Sequence, residues 1–246
     1  MNSLSHACIA RRLWSAVVGA AMLAFVPATQ ADPVVELQTD HGRIVLRLHP
    51  LMAPQTVENF LRYVDDGHYN DTVVHRAVAG FVIQGGGYDI SLRYRPTREP
   101  IANEAPRCLK NTRGTIAMAR SIEPNSTTSQ FFVNIDDNNH LNHVKPERGY
   151  EGYCAFATVI EGMDVAERIS QLPTTSAGPF SEHVPVEPVR ILSASRVEAS
   201  AILAAQEDRE PEAKTPAKAP PPSSRTPTKP AKPASSTSKP QRQGQP

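Results

Sequence analysis

An arginine and a glutamine stand in an otherwise apolar run, Val73-Val74-His75-Arg76-Ala77-Val78-Ala79-Gly80-Phe81-Val82-Ile83-Gln84, which closes on Gly85-Gly86-Gly87. A guanidinium among apolar side chains needs a partner or a task. It reaches water over a sheet edge, pairs with a core carboxylate, or offers charge and hydrogen bonds to something that binds there. Other familiar chemistries lack the residues to carry them. Gly-x-Ser-x-Gly is missing and neither Cys108 nor Cys154 adjoins a histidine, so no nucleophile is presented. His140 and His143 lie three apart near Asp136 and Asp137, but no helix there would put both imidazoles on one face, and a solvated loop is expected rather than a metal site. The glycine triplet is followed by no helical pattern, which argues against a phosphate cradle. What is left is electrostatic: the cation of Arg76, the amide of Gln84, and an apolar floor from Phe81, Phe132 and Leu141.

These residues need a sheet to hold them. The run around Arg76 reads as two strands broken at Ala79-Gly80, and period-two alternation places Val74, Arg76 and Val78 on one face, with His75 and Ala77 on the other. In the second strand Phe81 and Ile83 share a face opposite Val82 and Gln84. Upstream, 34–39 and 43–48 read as a hairpin turning at Asp40-His41-Gly42. A helix opens at Pro54, with Val57, Phe60, Leu61 and Val64 at i, i+3, i+4 and i+7 and Gly67 to stop it. Downstream, 88–113 reads as long loops broken by prolines, 114–119 as a strand, and 129–135 as a strand with Phe131, Val133 and Ile135 opposite Gln130, Phe132 and Asn134. A loop at 136–152, a strand at 153–160, a second helix with Val165, Ile169 and Leu172 on one face, and one or two strands within 184–197 complete the pattern. About eight short strands and two helices favour a mainly β architecture, an antiparallel barrel or sandwich with helices over its ends.

The flanks differ from this domain. Arg11 and Arg12, the apolar run 13–26 and the small residues before Ala31 describe a secretory leader over 1–31, too short to span a membrane comfortably. The mature protein is therefore expected to be exported, most simply to the periplasm and otherwise out of the cell, without a membrane span. Residues 32–200 form the domain, and 201–246, rich in Pro, Lys and Ala with no aromatic residue, is expected to be a disordered tail. A formal net charge of +1 gives no reason to expect nucleic acid. Export would permit a disulfide between Cys108 and Cys154, but two cysteines without framework spacing weigh against pairing.

Four linked segments carry a family resemblance: Val74-His75-Arg76-x-x-x-Gly80-Phe81-x-x-Gln84-Gly85-Gly86, Gly114-Thr115-Ile116-Ala117-Met118-Ala119, Ser129-Gln130-Phe131-Phe132, and Phe156 followed by Val159-Ile160-Glu161-Gly162-Met163. In this order and spacing they resemble the cyclophilin-type peptidyl-prolyl cis-trans isomerases. With Met118-Ala119-Arg120 in place of Met-Ala-Asn, and with a leader, the likeness is to the periplasmic bacterial members. The resemblance implies a closed eight-stranded antiparallel β-barrel capped by two α-helices. It also implies catalysis of rotation about X-Pro bonds without cofactor or metal, proline-containing polypeptides of exported proteins as substrates, and a monomer.

It further implies roles by position. Arg76 matches the catalytic arginine, and Gln84 the glutamine that bonds substrate backbone. Phe81, Val82, Phe132 and Leu141 match the walls of the proline pocket, with Val82 where methionine is more common. His75 is the histidine beside the arginine. The backbone at Arg120 would bond the substrate chain, while Ala119, Ser121 and Gln130 would line the adjoining cleft. Tyr153 falls at the rim, where many members have a histidine. His140 falls where many eukaryotic members have a tryptophan that contacts cyclosporin, so tight binding of that drug is not implied.

Overall fold

The computed structural model describes residues 31–147, 149 and 151–198. The expected leader, except Ala31, and the expected tail lie outside the described residues.

The chain begins with the expected hairpin, β1 (Val34–Thr39) and β2 (Gly42–Leu48). Its turn is fixed by Thr39, whose hydroxyl donates to the Gly42 carbonyl at 2.6 Å and accepts from the His41 amide at 3.1 Å. Helix α1 (Pro54–Asp65) buries Val57, Phe60, Leu61 and Val64, the residues its spacing singled out. Then come β3 (Thr72–Val78) and β4 (Val82–Asp89), turning through Gly80 at φ +67°, where a side chain would be strained. β5 (Thr115–Met118) and β6 (Phe131–Asn134) are shorter than their sequence patterns. A 3-10 turn at Asn139–Leu141 interrupts the expected loop, and β7 (Ala155–Glu161) starts two residues after Tyr153. Helix α2 (Met163–Ser170) buries Val165 and Ile169, with Leu172 packing from just beyond its end. β8 (Thr174–Ala177), β9 (Phe180–Pro185) and β10 (Val189–Val197) finish the domain.

Eight strands close into one antiparallel barrel in the order β1-β10-β3-β4-β6-β5-β7-β2, which decides for the barrel over the sandwich. The interior is one apolar cluster that includes Leu46, Ile83, Phe131 and Phe156 with α1's Phe60 and α2's Ile169. The strands β8 and β9 pair only with each other, as a separate hairpin beside the barrel. That hairpin was not expected: Thr174-Thr175-Ser176-Ala177 has no apolar alternation.

Two facings also differ from simple alternation. The β3–β4 register slips between Val74, opposite Gly85, and Arg76, opposite Gln84, so two residues of β3 advance against one of β4. This bulge sends Val74 into the interior cluster while Arg76 stays outside it. Phe81 belongs to the turn before β4, and packs with Val82 on the outer cluster rather than with Ile83 inside.

Cys108 and Cys154 are joined, with Cα atoms 5.2 Å apart. The pairing disfavoured by sequence spacing is made because the loop before β5 folds back onto the start of β7, where the Leu109 amide donates to the Ala155 carbonyl at 3.0 Å.

Candidate active site

The barrel register assembles the site. Arg76 lies opposite Gln84, Gln84 opposite Phe132, Phe132 opposite Ala117, and Ala117 opposite Ala155. One row thus crosses β3, β4, β6, β5 and β7 on the outside of the barrel, with a cation at one end, an amide next to it and an aromatic ring in the middle. Val82, Ala117, Phe132 and Ala155 form an apolar cluster there, separate from the interior one, and Phe81, Leu141 and Tyr153 pack around it.

Above this row opens a cleft of about 170 Å3 lined by Arg76, Phe81, Val82, Gln84, Ala119, Arg120, Phe132, Leu141 and Tyr153. All nine are among the residues singled out from the sequence. The remaining four do not line it. His75 is buried, at 3 % exposure, behind the strand. His140 stacks on the Phe81 ring at 5.6 Å, bracing the wall from outside. Gln130 accepts a hydrogen bond from the Gln84 amide at 3.0 Å, and a Cβ at Gly87 would lie 2.5 Å from its side chain, so the glycine is what lets Gln130 cross β4. Ser121 sits in an exposed loop, its hydroxyl 2.8 Å from that of Ser126.

The two arginines of the cleft differ. Arg120 is largely buried: its Nε donates to the Gly152 carbonyl at 2.9 Å, its guanidinium lies 4.7 Å over the Tyr153 ring, and Glu151 is 3.4 Å away. It is a strut tying the loop after β5 to the rim. The Arg76 guanidinium carbon lies 5.6 Å from the centre of the Phe81 ring, and no hydrogen-bond acceptor among the described residues meets it. Its planar set of donors is left for a ligand. Beside it, burial pushes the pKa of His75 down to about 4, the nearby Val73 backbone opposes this, and the charge of Arg76 adds to it.

A network that sequence reasoning missed supports the walls. Asn111, Asn134 and Asn138 are all buried. The Asn138 amide donates to the Phe81 carbonyl at 3.0 Å and to Asn134 at 2.8 Å. Asn134 donates to Asn111 at 3.2 Å, and Asn111 donates to the carbonyls of Leu141 at 3.2 Å and Tyr153 at 3.0 Å. Three walls from three loops thus hang on one chain of amides. Nothing in the spacing of these asparagines announces it.

Size alone would direct attention elsewhere, to a groove of about 720 Å3 along α1 lined by residues such as Pro33, Leu51, Val57 and Leu61. Its cations are already engaged, Arg62 with Glu58 and Arg196 with Asp65, so its described residues offer no free cation. His140 and His143 do not converge either: His143 donates from Nδ1 to the Glu151 carbonyl at 3.0 Å while His140 faces Phe81.

The sequence and the fold have known counterparts. Peptidyl-prolyl cis-trans isomerase B of Escherichia coli (strain K12) is 47% identical over 160 residues, 65% of this chain and 97% of its own length. Peptidyl-prolyl cis-trans isomerase A of Dickeya dadantii is 44% identical over 189 residues, 76% of this chain and 97% of its own. Among solved structures, a cyclophilin type peptidyl-prolyl cis-trans isomerase of Cryptosporidium parvum, crystallised in the presence of the dipeptide Ala-Pro, superposes with a TM-score of 0.53 at 25% identity, covering 67% of this chain and 99% of that one. The family description "Cyclophilin type peptidyl-prolyl cis-trans isomerase/CLD" matches residues 34–196, from the first residue of β1 to the last but one of β10. On this match over most of the chain, and on relatives at 44% to 47% identity covered over 97% of their own length, the chain belongs to the cyclophilin family of peptidyl-prolyl cis-trans isomerases.

Proposed function

We propose that Arg76 is the catalytic residue of this isomerase, and that the single observation carrying this reading is its guanidinium, left without an acceptor over an apolar-floored cleft. An X-Pro bond rotates over tens of seconds or longer because twisting breaks amide resonance. In the twisted state the prolyl nitrogen becomes pyramidal and regains a lone pair. A fixed guanidinium donates to that lone pair and has no equivalent bond to the planar amide, so it binds the transition state better than either ground state. No nucleophile, base, metal or cofactor is needed.

The magnitude sets what else the cleft must do. Speeding an event of about 100 s to about 10 ms requires about 5.5 kcal/mol. One charge-assisted hydrogen bond supplies about 1.5 to 3 kcal/mol. Exclusion of water and immobilisation of the ring must provide the rest. Phe81, Val82, Phe132 and Leu141 form the proline seat. Gln84, held by Gln130, and the backbone near Arg120 grip the chain on the other side of the bond, with Ala119, Ser121 and Tyr153 along its path. His75 and His140 contribute from behind the walls. One half of the peptide is then fixed while the other turns.

The substrates we infer are proline-containing segments of exported proteins, and the protein assists their folding as a monomer. The leader pattern in the sequence supports export, and the Cys108–Cys154 bond suits an oxidising compartment. Replacing Arg76 tests the mechanism. Arg76→Ala should lower kcat/KM on an Ala-Pro peptide by about 100-fold or more, measured by NMR exchange, with an unchanged circular dichroism spectrum. Arg76→Lys should also be poor, since an ammonium cannot fill a planar fork. Wild-type turnover in either variant would refute the assignment.

A further inference from the structure

Among the described residues, no hydrogen bond aims the Arg76 side chain. A long cationic side chain carries about 2 kcal/mol of rotamer entropy, so its direction depends on the backbone from which it springs. That backbone is the β3 bulge, and the residue inside the bulge is His75. The imidazole is almost fully buried, yet its Nδ1 finds no hydrogen-bond partner among the described residues. Two rings hold it. Phe180 stacks on it at 5.0 Å with an interplanar angle of 23°, and Tyr88 leans on it at 4.7 Å and 59°. Phe180 and Tyr88 also meet edge to face at 4.9 Å. Phe180 is the first residue of β9, in the hairpin that takes no part in the barrel.

We propose that the β8–β9 hairpin is a positioning device for catalysis: Phe180, clamped on His75, fixes the β3 bulge so that Arg76 stands over the cleft. The inference rests on the role given to Arg76 above. The clamp also keeps the neighbour of Arg76 uncharged. The titratable groups around His75 are Arg76 on its own strand and the Tyr88 phenol from β4, with Tyr94 5.4 Å behind that ring. From β9 the Phe180 ring stacks on it, and Glu182 of that strand lies 3.3 Å from His183. Among the described residues Arg76 is the charged group that acts on the imidazole, and no carboxylate acts beside it. Removing Phe180 would hydrate the imidazole, return its pKa toward the ordinary value of about 6.5, and place a positive charge next to Arg76 in mildly acidic solution.

The test uses the full chain, an Ala-Pro tetrapeptide and NMR exchange rates that separate kcat from KM. Phe180→Ala should lose about tenfold in kcat at pH 7.5 with KM unchanged within twofold, and should lose severalfold more at pH 5.5. Wild type and Phe180→Tyr, which restores the stacked ring, should agree within twofold at both pH values. His75→Phe placed in the Phe180→Ala background should remove the additional acid loss. If Phe180→Ala does not fold, Phe180→Leu, which keeps bulk without an aromatic face, should show the same pattern more weakly. A normal kcat in the clamp variants, a loss carried by KM, or a loss identical at pH 7.5 and 5.5 would overturn the proposal. If Arg76→Ala is itself fully active, the role of Arg76 fails instead, whatever Phe180 does.

Discussion

In the unfolded chain His75 takes up a proton below its ordinary pKa of about 6.5, whereas in the folded protein burial holds that event down to about 4. Between these values the unfolded state binds more protons, so stability rises with pH. The contribution is fully present above about 6.5 and is lost as pH falls toward 4, and it amounts to about 3 kcal/mol at most. His68, also lowered by burial, acts with the same sign. The melting temperature should therefore be flat above pH 7 and fall by roughly 10 °C between pH 7 and 4.5. In His75→Phe, scanned by calorimetry over the same range, the fall should be visibly shallower, and an unchanged slope would remove His75 as the cause. At this scale the sequence shows that Arg76 is out of place among valines. It cannot show that no acceptor reaches it, because that depends on where the surrounding loops lie. Nor can it place Val74 opposite Arg76, because a bulge leaves no mark in a run of β-branched residues.

Strand by strand, legibility followed how local the cause was. The β1–β2 and β3–β4 hairpins and both helices are written in short-range periodicity and turn residues, and they occur where expected. The β8–β9 hairpin is held by packing against β3, a tertiary cause its own polar residues do not announce. Helix α1 has the same lesson at its start: Ala53 offers no cap, and the capping oxygens belong to Glu104, which accepts from the Thr56 amide and hydroxyl at 2.8 Å each. Four residues on, Cys108 bonds to Cys154, so one loop caps α1, pins β7 and supports Leu109 under the cleft. A sequence separation of 46 residues carries no hint of a Cα distance of 5.2 Å. Closing such a loop in the unfolded chain removes entropy worth about 4 kcal/mol. Reduction, or Cys108→Ser with Cys154→Ser, should lower the melting temperature by about 10 °C. Protein produced in an oxidising compartment and purified without reductant should show no free thiol at these positions; two titratable thiols and an unshifted melt on adding reductant would contradict both the bond and its weight.

At the scale of the molecule, closure of the barrel sets where the chain enters and leaves. Val34 on β1 pairs with Val197 on β10, so the last strand seals the gap that the first would leave, and no barrel edge stays open to pair with another chain. The two ends of the domain lie side by side, about 5 Å apart as strand partners. The row that floors the cleft uses β3, β4, β6, β5 and β7 and neither of the sealing strands, which separates the ends of the barrel from the cleft. The order of elements along the chain should then be dispensable as long as the pairings form. A circular permutant that joins Glu198 to Asp32 through a four- to six-residue Gly/Ser linker and opens between Glu99 and Pro100, both exposed, keeps every barrel strand whole. It should melt cooperatively within a few degrees of the unpermuted domain, residues 32–198, and isomerise the Ala-Pro peptide within about threefold of its rate. A permutant that folds but is inactive would mean that the row is aimed by tension between the sealing strands. One that fails to fold while residues 32–198 fold in the native order would mean that the β1–β2 hairpin must form first to template β10, making closure a matter of sequence order as well as of register.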